Sequence, residues 1–155
     1  MAAALRPLYH FGIILIVMGL AVSGLILHNM PASITNAQSD AGQVVFMSNR
    51  SGNPELWIME PDGSNARQLT DDHATSGPGA WSSDRQRITF ISDLTGSFEI
   101  YTIQADGTNL QQLTELQSWA TTPEFSPNGQ QIVFASDHEG ERSIYIMDDN
   151  GENLR

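Results

Sequence analysis

VVFMSNRSGNPELWIM at residues 44–59, ITFISDLTGSFEIYTI at 88–103 and IVFASDHEGERSIYIM at 132–147 align without a gap at a spacing of 44 residues. Phe46, Phe90 and Phe134 coincide, as do Ser48, Ser92 and Ser136, and Gly52, Gly96 and Gly140. Working outward, the register holds at Trp57, Tyr101 and Tyr145, then at Gly63, Gly107 and Gly151, then at Asn65, Asn109 and Asn153. Leu69-Thr70 recurs as Leu113-Thr114, and Trp81-Ser82 as Phe125-Ser126. A fixed period of this size is the signature of a repeat architecture in which each unit buries its faces against its neighbours.

Each unit reads as four short strands. The first carries an aromatic residue (79–82 and 123–126), and a turn follows at 83–85 or at Pro127-Asn128-Gly129. The second spans 87–92 or 131–136, the third 99–103 or 143–147. Asp106-Gly107 and Asn150-Gly151 are turn dipeptides, and a fourth strand follows at 109–114. Asp or Asn before Gly supplies the left-handed backbone that tight hairpins need. Strand interiors favour Val, Ile, Phe, Tyr and Trp. Both parities are apolar, as where Phe46 alternates with Val45 and Met47, so both faces of each sheet should be covered. Four-stranded antiparallel units at this period, with an aromatic residue in each, predict an all-β fold, a β-propeller.

The pattern F-x-S-D/N-x-x-G, an aliphatic-aromatic pair, D/N-G-x-N, L-T and W/F-S resembles the TolB-type, or WD40-like (PD40), propeller repeat across residues 43–155. Trp57 is followed by Ile58 and Tyr101 by Thr102, so the third strand does not end in the Trp-Asp of true WD40 repeats. The resemblance implies four-stranded blades of an incomplete TolB-like propeller. The first unit is expected to begin on its second strand at Gln43 and the third to stop at Arg155, giving about two and a half blades. A ring needs about four or more blades. The expectation is therefore the N-terminal part of a longer propeller, with self-association of copies as the alternative.

Before the repeats, residues 11–27 form an uncharged apolar run, FGIILIVMGLAVSGLIL, preceded by Arg6. Seventeen residues is the lower limit for a spanning helix and slightly long for the core of a signal peptide. Residues 1–28 are expected to be a transmembrane or signal-anchor helix, with cleavage after Ala37 as the alternative. No basic residue follows until Arg50, so the positive-inside rule sends the rest of the chain across the membrane. Localisation is expected at the cell membrane, or in the periplasm or outside the cell after cleavage. Residues 29–42, with Pro31, Ser33 and Ser39, read as a linker.

The 155-residue chain has 7 basic and 18 acidic side chains, and none of the basic ones is a lysine. That balance excludes a phosphate-backbone binder, and so a nucleic-acid partner. Without cysteine or lysine there is no disulfide, thiolate nucleophile, Schiff-base lysine or P-loop lysine. No G-x-S-x-G, H-E-x-x-H or Gly-rich phosphate loop occurs, so no enzyme, cofactor or metal is read from these residues.

Asp71, Asp72 and His73 lie between units, where the next unit has Glu115, Leu116 and Gln117. The run lies outside the repeat and reads as an acidic loop, having too few convergent oxygens for a cation site. Asp137-His138-Glu139 reads the same way, and the acidic segment 148–153 is the repeat's own hairpin turn. Trp57, Tyr101, Tyr145, Trp81 and Phe125 recur in register and read as core. Trp119 has Thr75 as its counterpart and lies in an inter-unit loop, which makes it the best candidate for a contact residue.

The resemblance implies a non-enzymatic module that binds a protein or peptide through the loops at one propeller face. Those loops are 71–77 and 115–122, and Asp71, Asp72, His73 and Trp119 are their candidate binding residues. Their acidity favours a neutral or basic partner. The alternative is the propeller portion of a prolyl-oligopeptidase-like serine peptidase, in which the propeller precedes a hydrolase domain.

Overall fold

The computed structural model describes residues 38–39 and 42–155. The apolar segment at 11–27 lies outside the described residues. Among those described, all regular structure is strand, and no helix is long and apolar enough to cross a membrane.

Eleven strands form three antiparallel sheets. The first contains β1 (Gln38–Ser39), β2 (Val44–Ser48), β3 (Glu55–Met59) and β4 (Arg67–Gln68) in that order. The second contains β5 (Ala80–Trp81), β6 (Arg87–Ser92), β7 (Glu99–Gln104) and β8 (Gln111–Gln112), again in chain order. The third contains β9 (Ala120–Phe125), β10 (Gln131–Ser136) and β11 (Ser143–Asp148). Each sheet is one blade, and the registers repeat as the sequence does. Phe46 faces Trp57, Phe90 faces Tyr101 and Phe134 faces Tyr145.

Three strand assignments change the sequence reading, one of them β9, which begins at Ala120 within the expected loop 115–122 rather than at residue 123. The first blade does not begin on its second strand, because Gln38 and Ser39 pair with Val45 and Val44 in the place of an inner strand. In the third blade, the Arg155 amide donates to the Ile146 carbonyl at 3.0 Å, and the Arg155 carbonyl accepts the Ile146 amide at 2.9 Å. That is the position at which Gln111 pairs with Thr102 and Arg67 with Ile58. Pro123 lies in β9, at the edge of its sheet, where a missing N–H breaks no ladder.

The blades pack face to face through two apolar clusters. Val45, Leu56, Ile58 and Leu69 of the first blade meet Trp81, Ile88, Phe90, Tyr101 and Ile103 of the second. Ile100 on the other face of the second blade meets Ala120, Ile132, Phe134, Tyr145 and Met147 of the third. A central blade flanked on both sides explains why β7 is buried from Glu99 to Ile103. Trp57 differs from its counterparts. It is half-buried, under the Arg50 guanidinium at 4.6 Å from the ring centroid, whereas Tyr101 and Tyr145 are buried.

Polar bonds join the blades beside these clusters. The Arg67 guanidinium donates to the carbonyls of Ala105 and Asp106 across the first interface. Arg85 reaches back to the Gln43 carbonyl at 3.2 Å, and Arg87 pairs with Asp149 of the third blade at 2.6 Å. Arg85 has a φ of 60° at the turn position where the third blade has Gly129, also in the left-handed region.

Candidate functional site

The β2–β3, β6–β7 and β10–β11 hairpins lie at the same end of the blades as the inter-blade connections, and the repeat residues build this end. Ser48, Ser92 and Ser136 each accept, on Oγ, the amide two residues ahead, which starts the hairpin turn. Gly96, at φ 99°, closes its turn by donating to the Asp93 carbonyl at 2.8 Å. The aspartates beside the serines reach sideways: Asp93 Oδ1 accepts the Thr75 amide at 2.6 Å, and Asp137 Oδ1 accepts the Trp119 amide at 2.9 Å. Each hairpin thus fastens the connection that enters its own blade.

The carboxylates of Glu55 and Glu99 hold the connections from below. Both are buried at the start of a third strand. Glu99 Oε1 accepts the Gln117 amide at 2.8 Å and Ser97 Oγ at 3.0 Å, while Oε2 accepts Thr114 Oγ1 at 2.6 Å and the Leu116 amide at 3.0 Å. Thr114 Oγ1 in turn accepts the Ile100 amide at 2.9 Å. Glu55 repeats the motif more sparsely, taking a bond from Thr70 Oγ1 at 2.5 Å and another from the His73 amide. His73 and Gln117, one repeat apart, both have left-handed backbones, with φ of 62° and 51°. Sequence reasoning missed the role of these glutamates. The available signal was a carboxylate in an otherwise apolar strand, in register with a downstream Leu-Thr.

Burial raises the pKa of Glu55, and the negative charges of Asp72 and Asp71 push it the same way, against the Thr70 hydrogen bond. The folded chain therefore holds this proton to higher pH than the unfolded chain. Its stabilising contribution is complete below the ordinary glutamate value of about 4.3 and is lost as pH rises through the raised folded value. Glu55→Gln, which stays neutral, is expected to flatten that decline. Urea midpoints measured at intervals from acid to neutral pH test this, and parallel curves for the two proteins would refute it.

The candidate binding residues occupy two successive connections. Asp71 and His73 are exposed. Asp72 Oδ1 accepts the Ala74 amide at 3.0 Å, and the His73 carbonyl accepts Asn53 Nδ2 at 3.3 Å. Among the described residues no three His, Asp or Glu side chains converge in a way that could hold a metal ion.

Trp119 lies in the following connection, at the entrance to the third blade. Its side chain is 53 % exposed although its amide is fixed by Asp137. The indole stacks on Phe98, with centroids 6.2 Å apart and planes 24° apart, and the Arg142 guanidinium lies 5.9 Å from its centre. Phe98 and Arg142 hold the same repeat position in consecutive hairpins, so the cluster bridges two blades. Sequence reasoning found Trp119 as a departure from the repeat. It did not find Phe98 or Arg142, which lie 21 and 23 residues away on other elements. A shallow polar pocket lined by Thr95, Ser97, Glu99, Gln112, Glu115 and Gln117 opens at the same end.

Consecutive antiparallel blades of three or four strands at a constant period, joined at one end by short connections, define a β-propeller architecture. The profile of the TolB beta propeller domain, PD40, matches residues 72–155, and the chain belongs to that family. No curated protein sequence matches it. Among solved structures it resembles a protein assigned as TolB in Agrobacterium tumefaciens, with a TM-score of 0.73 and 22% identity over 82% of this chain and 49% of that one. It also resembles TolB from Acinetobacter baumannii, with a TM-score of 0.64 and 22% identity over 74% of this chain and 29% of that one. A prolyl endopeptidase matches with a TM-score of 0.58 and 13% identity, over 78% of this chain and 21% of that one. The chain thus spans half or less of the length of these proteins. At such identities the likeness is one of fold.

Proposed function

We propose that the chain is an exported or membrane-anchored, non-enzymatic propeller module that binds a protein or peptide segment at its loop end. The observation that carries this reading is Trp119, whose indole is half-exposed while its backbone is pinned and its ring packs on Phe98. A rigid, accessible aromatic loses little conformational freedom on binding, which is why such residues dominate recognition surfaces. Asp71, Asp72, Glu115 and Glu139 lie in the connections and hairpin of this end, and the chain carries a net charge of −11. A neutral or basic segment fits that field, and an arginine-bearing one adds a cation to the indole face. Export rests on the apolar run at 11–27 with Arg6 before it.

The test is titration of the full chain with paired twelve-residue peptides, one series rich in Arg and Pro and the other with Glu in place of Arg, followed by calorimetry. The basic series is expected to bind and the acidic one not. Trp119→Ala is expected to weaken binding about tenfold, roughly 1.4 kcal/mol. The Asp71→Lys, Asp72→Lys double variant is expected to weaken the basic series further. Affinities unchanged in both variants would sink the assignment of this face.

The resemblance to a prolyl endopeptidase favours a second reading, the propeller portion of a prolyl-oligopeptidase-like serine peptidase. A G-x-S-x-G on a strand–turn–helix following the repeats in the same reading frame would decide for it.

A further inference from the structure

The polar pocket at the loop end of the second blade is built from repeat positions, and the first blade carries an analogous set. Its rim residues Glu115 and Gln117 have Asp71 and His73 one repeat earlier, and its hairpin residues Thr95 and Ser97 have Ser51 and Asn53. Below them, Glu99 and Gln112 stand where the first blade has Glu55 and Gln68. The two floors are bonded alike. Gln112 Nε2 donates to the Thr114 carbonyl at 2.7 Å, and Gln68 Nε2 to that of Thr70 at 2.6 Å. Thr114 Oγ1 donates to Glu99 and accepts the Ile100 amide, and Thr70 Oγ1 does the same between Glu55 and the Leu56 amide. All four rim residues are exposed, and both glutamates are buried.

Each set joins one buried carboxylate to one exposed one, and neither contains an arginine. The four acceptor positions of Glu99 are filled, so it contributes charge rather than a contact. Glu115, at the rim, is the carboxylate within a ligand's reach. A cavity of about 170 Å³ with that lining suits the head of one basic side chain.

Two such sets on neighbouring blades impose a spacing. Sheets packed face to face lie about 10 Å apart. In a β-extended peptide, side chains on one side recur every second residue, at about 6.7 and then about 13 Å. In a polyproline II helix they recur every third residue, at about 9.3 Å. The second spacing matches the step between blades, and polyproline II segments also dock on exposed aromatic residues such as Trp119.

We infer that the segment bound at the loop end is a polyproline II stretch with basic side chains at positions i and i+3, one entering the Glu115 pocket and the other meeting the equivalent Asp71 set. This deepens the peptide-binding reading and rests on it.

Calorimetry of the full chain in detergent tests it with proline-rich twelve-residue peptides carrying two lysines at i and i+3, two at i and i+2, or one alone. The i, i+3 peptide is expected to bind at least about tenfold tighter than either of the others, because its second lysine binds intramolecularly. Glu115→Gln and Asp71→Asn, both at exposed positions, should each remove that advantage. Glu152→Gln makes the same charge change in the exposed turn after β11 and is expected to leave it intact. Equal affinities for the two spacings, or an advantage that survives Glu115→Gln, would overturn the inference. If binding then still depends on Trp119, the peptide-binding reading stands without it. If no basic peptide binds, both fall.

Discussion

Glu99→Ala is expected to destabilise the chain by about 3–5 kcal/mol, from buried donors left without their acceptor and the cavity that truncation opens. Glu99 is 1 % exposed, and its two oxygens accept four hydrogen bonds. Truncation leaves the buried Thr114 hydroxyl without its acceptor and frees the amides of Leu116 and Gln117, besides opening a cavity under the connection. Against a total stability of about 5–15 kcal/mol, that is a fifth or more. Glu99→Gln keeps the shape but turns an NH2 group toward donors on one side, so a smaller loss of about 1–3 kcal/mol is expected. Urea unfolding of the three proteins measures both numbers. Hydrogen exchange at Leu116 and Gln117 should accelerate in Glu99→Ala ahead of the strand amides. A loss below about 0.5 kcal/mol would mean that the aspartate–amide bond at Trp119 holds the connection unaided.

The expected loss bears on the proposed recognition as well as on stability. Asp137 fixes the Trp119 amide from the hairpin, and Glu99 fixes Leu116 and Gln117 just before it. Trp119 therefore stands on a loop tied to two blades. Loosening the glutamate end should weaken peptide binding through lost preorganisation, with no contact to the ligand removed.

The second and third strands of the second and third blades were legible because a 44-residue period states the same fact more than once. Residues 87–92 and 131–136 form strands with the bounds their spacing implies. The first inner strand was not legible, since Gln38-Ser39 is a pair of polar residues that carries no period. The periodicity also treats all blades alike, whereas burial depends on what stands on either side. Ile144 has the sequence signature of Leu56 and Ile100 but not their surroundings. At the site, Trp119 stood out because it breaks the repeat. Glu55 and Glu99 belong to it, and a carboxylate that recurs in a strand reads as surface until a partner such as Thr114 is placed beside it. The Phe98–Trp119–Arg142 cluster depends on contact between two blades, which no local pattern encodes.

Gly151→Ala is expected to cost about 2–5 kcal/mol, and Gly107→Ala, at the same place in the preceding blade, only about 1–2 kcal/mol. Both glycines close the D/N-G turn with a positive φ, 90° for Gly151 and 91° for Gly107, so both substitutions carry the left-handed penalty. They differ in what the new methyl meets. At Gly107 the nearest atom is Leu69 Cδ2 at 3.6 Å, an ordinary contact. At Gly151 the methyl would stand 2.7 Å from the Leu113 carbonyl oxygen and 3.3 Å from its Cα, which are backbone atoms of the second blade. Backbone cannot swing aside as a side chain can, so the third-blade turn must lift off. That movement also strains the Arg87–Asp149 pair, which joins the same two blades through a residue two positions away. Parallel urea titrations of the two variants measure the difference. A gap of at least about 1 kcal/mol between them is expected from the overpacking alone. Equal losses would show that only the turn's backbone geometry matters, and that the close approach between the second and third blades relaxes at no cost.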